Sequence, residues 1–315
     1  MIGVELVGAL RSGNVRALAR AISTVEEQGA SAVPLLQAAF PHAGRSTVVG
    51  VTGAPGAGKS SLIDRLVAAY RAEDRRVGVV AVDPSSAFSG GAILGDRVRM
   101  QRHGSDSGVF IRSMATRGHL GGLARTTSDA IDLVDAAGYD PVVVETVGVG
   151  QDEVEVVRTA DVVLVVLVPG MGDDIQALKA GVLEIADLFV INKADRPGAD
   201  RLAAELETMF DLVDRGTRPR PAIVPTVAVR GDGTAALRRA IEEFLATTGA
   251  GRRAARRRER AEARLLAVLG ERLLARVVER AFPGGSIAEL VDRIAERGID
   301  PYSAVERLLA RVEVR

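Results

Sequence analysis

The sequence predicts an α/β fold: a mostly parallel sheet covered by helices on both faces, with helical segments added before and after it. Three observations predict it. Seven short β-branched runs occur at Val48–Val51, Val77–Val82, Val109–Ile111, Val142–Val144, Val162–Val168, Leu188–Ile191 and Ile223–Val227, and helix-length segments separate nearly all of them. Such alternation calls for right-handed crossovers that lay helices on both faces of a parallel sheet. The first run passes directly into Gly53-Ala-Pro-Gly-Ala-Gly-Lys-Ser60, which fits G-x-x-x-x-G-K-[ST] without a mismatch, and then into a helical pattern. After Gly249 the strand-like runs stop and only helical periodicity remains.

Composition bounds the rest. The chain has 315 residues, of which 47% are hydrophobic. That exceeds one small core, so the predicted division is a helical extension over 1–46, a nucleotide domain over 47–249 and a helical arm over 250–315. Lys+Arg and Asp+Glu are both 41, so no global field draws the protein to nucleic acid or to a membrane. Aromatics are 3% and Trp is absent, which leaves a base-stacking surface poorly supplied. There is no cysteine for a disulfide or a thiolate metal site, and His42, His103 and His119 are too scattered to form one. No basic-then-apolar leader is seen, and no apolar run approaches the roughly 20 residues of a membrane helix. The expected location is cytoplasmic.

Taken in order, the N-terminal part reads as helix. Val15, Leu18, Ile22 and Val25 recur at helical spacing behind Asn14 as N-cap. A short helix with Val33, Leu36 and Phe40 follows and ends at Pro41. Val48, Val49 and Val51 form a buried strand. In the loop Gly53, Ala54, Pro55, Gly56, Ala57, Gly58, Lys59, Ser60 and Ser61, glycines let backbone N–H groups turn toward phosphate oxygens. The helix carrying Leu62, Leu66 and Tyr70 adds its dipole. Lys59 can reach the β- and γ-phosphates, and the Ser60 hydroxyl can ligate Mg²⁺.

Further chemistry falls at strand ends, where a parallel sheet binds ligands. Asp83 closes the second run, and Asp96 follows in the glycine-rich stretch Phe88–Arg97. Both suit the outer shell of Mg²⁺ or the positioning of water. Val142–Gly148 places Glu145 where GTPases put the aspartate of D-x-x-G. The longer side chain is expected to reach Mg²⁺ through water, and Gly148 to offer its N–H to the γ-phosphate. Pro169–Lys179 is glycine-rich, acidic and then helical, with Gln176 and Lys179 on one face. Asn192-Lys193-Ala194-Asp195 ends the sixth run as N-K-x-D. The Asp195 carboxylate can accept from guanine N1–H and the 2-amino group together, whereas adenine offers neither. Asn192 can brace the loop, and the Lys193 stem can cover the base. Val227 and Ala228, after the last run, complete the expected nucleotide-binding set. Each of these stretches also has a plainer reading as an ordinary connection or cap.

In the tail, Arg252, Arg253, Arg256, Arg257, Arg258 and Arg260 crowd one helical start, with Glu259 and Glu262 interleaved. They read as a solvated face or as a contact to a partner. Leu266, Leu269, Leu273 and Val277 follow as a stripe that a thin arm would bury across a dimer.

With these residues in view, the chain resembles the MeaB/ArgK GTPases, the G-protein chaperones of methylmalonyl-CoA mutase. The stretches DPSSAFSGGAILGDRVRM from Asp83, ETVGVGQDE from Glu145, PGMGDDIQALKAGVLEIAD from Pro169 and NKAD from Asn192 carry the resemblance, which spans essentially the whole chain. It implies a P-loop NTPase fold, GTP/GDP with Mg²⁺ as cofactors, and a homodimer. It also implies switch loops at Asp83–Met100, Glu145–Val157 and Gly170–Lys179. Hydrolysis would gate adenosylcobalamin loading, and protect or reactivate an acyl-CoA mutase. Lys59, Asp83, Asp96, Glu145, Gln176 and Lys179 would be catalytic, with Ser60, Asp83, Asp96 and Glu145 serving the metal. Met171 departs from the small residue usual in the third switch. Three alternatives stay open: a nickel or cobalt metallochaperone GTPase, for which Cys and His ligands are missing; a kinase of a transport protein; and an RNA-binding GTPase resting on the arginine run alone.

Overall fold

All seven β-branched runs become strands in a computed structural model of the chain. They are β1 (Val48–Gly53), β2 (Val77–Asp83), β3 (Val109–Ala115), β4 (Val142–Thr146), β5 (Val162–Leu167), β6 (Leu188–Asn192) and β7 (Ala222–Thr226). The structure describes residues 2–27, 29, 31–83, 101–115, 122–146, 159–170, 186–212, 220–248, 250–281 and 287–311. One sheet forms in the order β3-β2-β4-β1-β5-β6-β7, and every strand pair in it is parallel. Strands β1, β4, β5 and β6 are buried at every residue. Their near-continuous Val/Ile/Leu runs suit a sheet covered on both sides.

Two apolar layers do the covering. On one face, α4 (Lys59–Arg71) and α7 (Thr234–Thr247) pack Leu62, Leu66, Tyr70, Leu237 and Ile241 onto the β-branched side chains of β1, β5 and β6. On the other, α5 (Gly122–Ala136) and α6 (Ala199–Leu212) supply Ile131, Val134, Leu202, Leu206 and Phe210.

The N-terminal helices α1 (Ile2–Arg11), α2 (Val15–Glu26) and α3 (Ala32–Ala39) join this second layer rather than forming a core of their own. Asn14 caps α2 as its position predicts: its Oδ1 accepts from the Ala17 N–H at 3.0 Å. Leu18, Ile22 and Val25 are buried, but Val15 is exposed. In α3 the expected stripe is rotated. Leu35 and Ala39 face the core, while Val33 and Phe40 are exposed, Phe40 at 67%. The three-residue 3₁₀ turn Phe40–His42 swings Phe40 outward from a helix only two turns long.

One buried carboxylate fastens this extension. Asp135, on α5, accepts from the backbone N–H groups of Gly44 (2.6 Å), Arg45 (3.0 Å) and Ser46 (3.2 Å), and from the Ser46 hydroxyl at 2.8 Å. Asp135→Ala strips the acceptor from the three backbone donors, while the Ser46 hydroxyl keeps the Tyr139 carbonyl. With each unsatisfied buried group costing ~1–3 kcal/mol and water replacing part of the loss, stability should fall by ~3 kcal/mol. Urea unfolding checks this; a loss under ~1 kcal/mol would show that the linker holds by apolar packing alone.

The chain divides into two compact units, Met1–Arg256 and Arg257–Arg315. Helix α8 runs Ala250–Ala281, followed by α9 (Ala288–Ala295) and α10 (Pro301–Arg311). In the second unit Ile299 and Ala304 are buried, but Leu266, Leu269 and Leu273 of the expected stripe are about half exposed, at 59%, 48% and 48%. Arg256 closes the first unit. Its guanidinium donates to both Asp187 oxygens (3.0 and 2.6 Å) and to the Asp161 carbonyl (3.0 Å). One member of the arginine run is therefore a buried-carboxylate anchor, not a free positive charge. No described helix is long and apolar enough to cross a membrane.

Candidate nucleotide site

The strand order reverses at β1, because β4 lies on one side of it and β5 on the other. Loops leaving neighbouring strands diverge there and open a crevice at their carboxyl ends. The loop filling that crevice is Gly53–Ser60. Gly53 has φ +143°, and a Cβ on it would overlap the Val166 carbonyl oxygen. Gly58 has φ +90°, and a Cβ there would overlap the Asn192 side-chain amide. Both positions demand glycine, for conformation and for space. No side chain caps α4 at Gly58, so the first N–H groups of that helix face the loop.

Lys59 is 6% exposed, and its Nζ donates to the carbonyls of Gly53 (2.7 Å) and Ala54 (3.0 Å). The ammonium is thus held at the mouth of the loop by weak neutral acceptors, which phosphate oxygens outcompete. The Ser60 hydroxyl donates to Glu145 Oε1 at 2.7 Å, and Glu145 is 5% exposed. Register explains the meeting. Glu145 pairs with Val51 of β1 and Ala81 of β2, so it emerges beside both carboxyl ends. Thr146, next along β4, donates to Thr52 Oγ1 at 3.0 Å and ties the two strand ends together. A hydroxyl and a buried carboxylate on one spot form a hard-oxygen donor pair that fits Mg²⁺.

The N-K-x-D loop docks directly onto the phosphate loop. Asn192 Nδ2 donates to the Ala57 carbonyl at 2.8 Å, while Asn192 Oδ1 accepts from Thr226 Oγ1 (3.2 Å) and the Ala228 N–H (3.1 Å). One buried amide therefore joins the P-loop, β6 and the loop after β7. Lys193, at φ +56°, turns the chain and sends its Nζ to the Gly56 carbonyl at 2.8 Å. Asp195 stands at the rim with its side chain 42% exposed, 3.3 Å from Arg230. Val227 and Ala228 belong to the same loop; the Val227 N–H donates to the Asp232 carbonyl at 3.0 Å.

The structure thus gathers Gly53–Ser61, Glu145, Asn192, Lys193, Asp195, Val227 and Ala228 at one end of the sheet. Asp83 ends β2 at the same edge, but its side chain lies outside the described residues. Asp96, Gly148, Met171, Gln176 and Lys179 also lie outside them, as do 84–100 of the first expected switch, 147–157 of the second and 171–179 of the third. Sequence reasoning missed Thr226, Arg65 and Arg230. Arg65, one turn beyond Ser60 on α4, donates to the Ala228 carbonyl (3.0 Å) and the Val229 carbonyl (2.6 Å). Val227 and Ala228 were expected in this loop; the turn residues Arg230-Gly-Asp-Gly233 are the signal that could have pointed to Arg230 as well. Of the histidines, His103 is buried with Nε2 3.1 Å from Asp64 Oδ1, and Arg102 pairs with the same carboxylate.

Comparison with known proteins shows the family and the fold. Residues 18–281 match the family described as methylmalonyl Co-A mutase-associated GTPase MeaB. A Pyrococcus abyssi protein, whose GTPase name is itself an inference, is 48% identical over 98% of this chain and 96% of its own. GTPase ArgK of Escherichia coli is 44% identical over 61% of this chain and 59% of its own. The mouse mitochondrial methylmalonic aciduria type A homolog is 40% identical over 62% of this chain and 48% of its own. Among solved structures, an LAO/AO transport system kinase superposes with a TM-score of 0.69 at 27% identity, covering 98% of this chain and 96% of that one.

Proposed function

The chain belongs to the MeaB family of methylmalonyl-CoA mutase-associated GTPases, and from that premise we propose that this GTPase serves as the G-protein chaperone of an adenosylcobalamin-dependent acyl-CoA mutase. The observation that carries the GTPase part at residue level is the Asn192 brace, which sets the base-reading Asp195 loop against the phosphate loop. The mutase part is supported by the family match and by the relative named for methylmalonic aciduria. In this reading GTP binding and hydrolysis gate cofactor loading and protect or reactivate the mutase, in the cytoplasm. Lys59 neutralises phosphate charge. Ser60 and Glu145 would hold Mg²⁺, with Asp83 and Asp96 in support. Bound there, the metal supplies charge neutralisation at the β- and γ-phosphates. Gln176 and Lys179 would act from the third switch.

The pairing of Ser60 with Glu145 gives a direct test of the metal assignment. Glu145→Gln removes the charge but keeps the shape. GTP affinity should change less than about tenfold, while hydrolysis falls on the order of 10²-fold and needs more Mg²⁺ to saturate. An unchanged Mg²⁺ dependence would take Glu145 out of the metal site.

Dimerisation through 250–315 belongs to the same proposal. The half-exposed leucines of α8 make an apolar face that a second copy can bury. Light scattering on the full chain should report a dimer at micromolar concentration, and a monomer would remove the arm's assigned role.

The experiment that tests the whole reading uses a purified acyl-CoA mutase and adenosylcobalamin. Cofactor loading should depend on whether this protein carries GTP or GDP, and should lose that dependence with Lys59→Ala. A γ-labelled GTP control separates the kinase alternative, which would put label on protein rather than into free phosphate.

A further inference from the structure

The loop after β7 is tied down more firmly than a surface connection requires. Arg65 of α4 holds its Ala228 and Val229 carbonyls, Asn192 holds the Ala228 N–H, and Val227 bonds to Asp232 across the turn. Gly233, at φ +78°, closes the turn where a Cβ would overlap the Pro225 carbonyl. From this frame Arg230 reaches two carboxylates. Its Nε donates to Asp232 Oδ2 at 2.7 Å, and its Nη1 donates to Asp195 Oδ2 at 3.3 Å.

We propose that Arg230 is a positioning residue for base recognition, fixing the plane of the Asp195 carboxylate so that both oxygens meet the N1–H and 2-amino group of guanine. This rests on the GTPase reading above. All three side chains are substantially exposed, at 56% for Arg230, 42% for Asp195 and 57% for Asp232. Exposed pairs add little to stability, so what this trio can contribute is the orientation of Asp195. An aspartate at the rim would otherwise rotate freely and lose that freedom on binding a base. A guanidinium on one lone pair of Oδ2 sets the rotation in advance. A carboxylate has about four acceptor sites, so enough remain for the base. Asp232 does for Arg230 what Arg230 does for Asp195.

Guanine and hypoxanthine separate this role from general support of the loop. GTP uses both oxygens and depends on the plane of the carboxylate. ITP lacks the 2-amino group, uses one oxygen and tolerates rotation. Arg230→Ala should weaken GTP by about threefold to fivefold, the scale of an exposed ion pair, and ITP by less than twofold. Asp232→Asn should shift the GTP:ITP ratio the same way by a smaller factor. Equal weakening of both nucleotides would mean that Arg230 only supports the loop, and no change would mean that the pair is idle; either overturns the proposal. A wild-type protein that binds ATP as well as GTP would instead overturn the base-reading assignment beneath it.

Discussion

Asp195→Asn should exchange guanine for xanthine as the preferred base. On the base-reading assignment proposed above, the carboxylate accepts from N1–H and the 2-amino group of guanine together. Xanthine carries an oxygen in place of that amino group, and against Asp195 this oxygen faces another acceptor. In the variant, the amide N–H donates to the xanthine oxygen while the amide oxygen still accepts from N1–H. The guanine amino group then meets a donor. A fully buried mismatch of this kind can reach roughly 10⁴ in discrimination. With the Asp195 side chain 42% exposed, water relieves part of the cost, and a GTP loss of about 10²-fold is the expected scale. XTP affinity should rise in parallel, with ATP weak in both proteins. Nucleotide competition in one Mg²⁺ buffer measures all three. A variant that keeps full GTP affinity would show that Asp195 does not read the base.

Lys59→Ala should remove most nucleotide binding. Charge-assisted hydrogen bonds are each worth ~1.5–3 kcal/mol, and losing contacts to two phosphates predicts a drop of about 10²-fold or more. The fold should survive, because the ammonium bonds to the carbonyls of Gly53, at the very end of β1, and Ala54 in the loop, and joins neither apolar layer of the sheet. Yet the lysine is buried, so its removal is not silent. The Gly53 and Ala54 carbonyls lose a donor, and the loop should loosen. With ~1 kcal/mol at stake in a domain of this size, Tm should move by no more than about 4 °C. Calorimetry with GTP and a thermal melt settle both halves. Binding within a few-fold of wild type would refute the phosphate-loop assignment, and a collapsed melt would make Lys59 a structural residue first.

Within the described residues, each motif read from the sequence lies where local chemistry put it. The runs that became β1, β4, β5 and β6 suit the buried centre of a parallel sheet, because they lack the polar face that a solvated strand needs. Gly53 and Gly58 signalled a loop that no other residue can form. N-K-x-D after an apolar strand signalled a turn at the strand end, and that turn lies against the P-loop. These are short-range patterns, complete within a dozen residues.

Tertiary structure decided what depends on distant pairing. Asn192 meets Ala57, 135 positions away, only because β6 lies two strands from β1. Asp135 fixes the linker at 44–46 across 89 or more positions, and nothing in its own neighbourhood marks it. In α3 the two-turn length left the hydrophobic phase ambiguous; packing chose Leu35 over Phe40. Arg256 looks like its five neighbours in sequence, yet it alone among the described members of that run meets the Asp187 carboxylate. Arg230 became a candidate for the same reason. Its value lies in which carboxylates stand within reach, and reach is set by the loop that the rest of the fold holds in place.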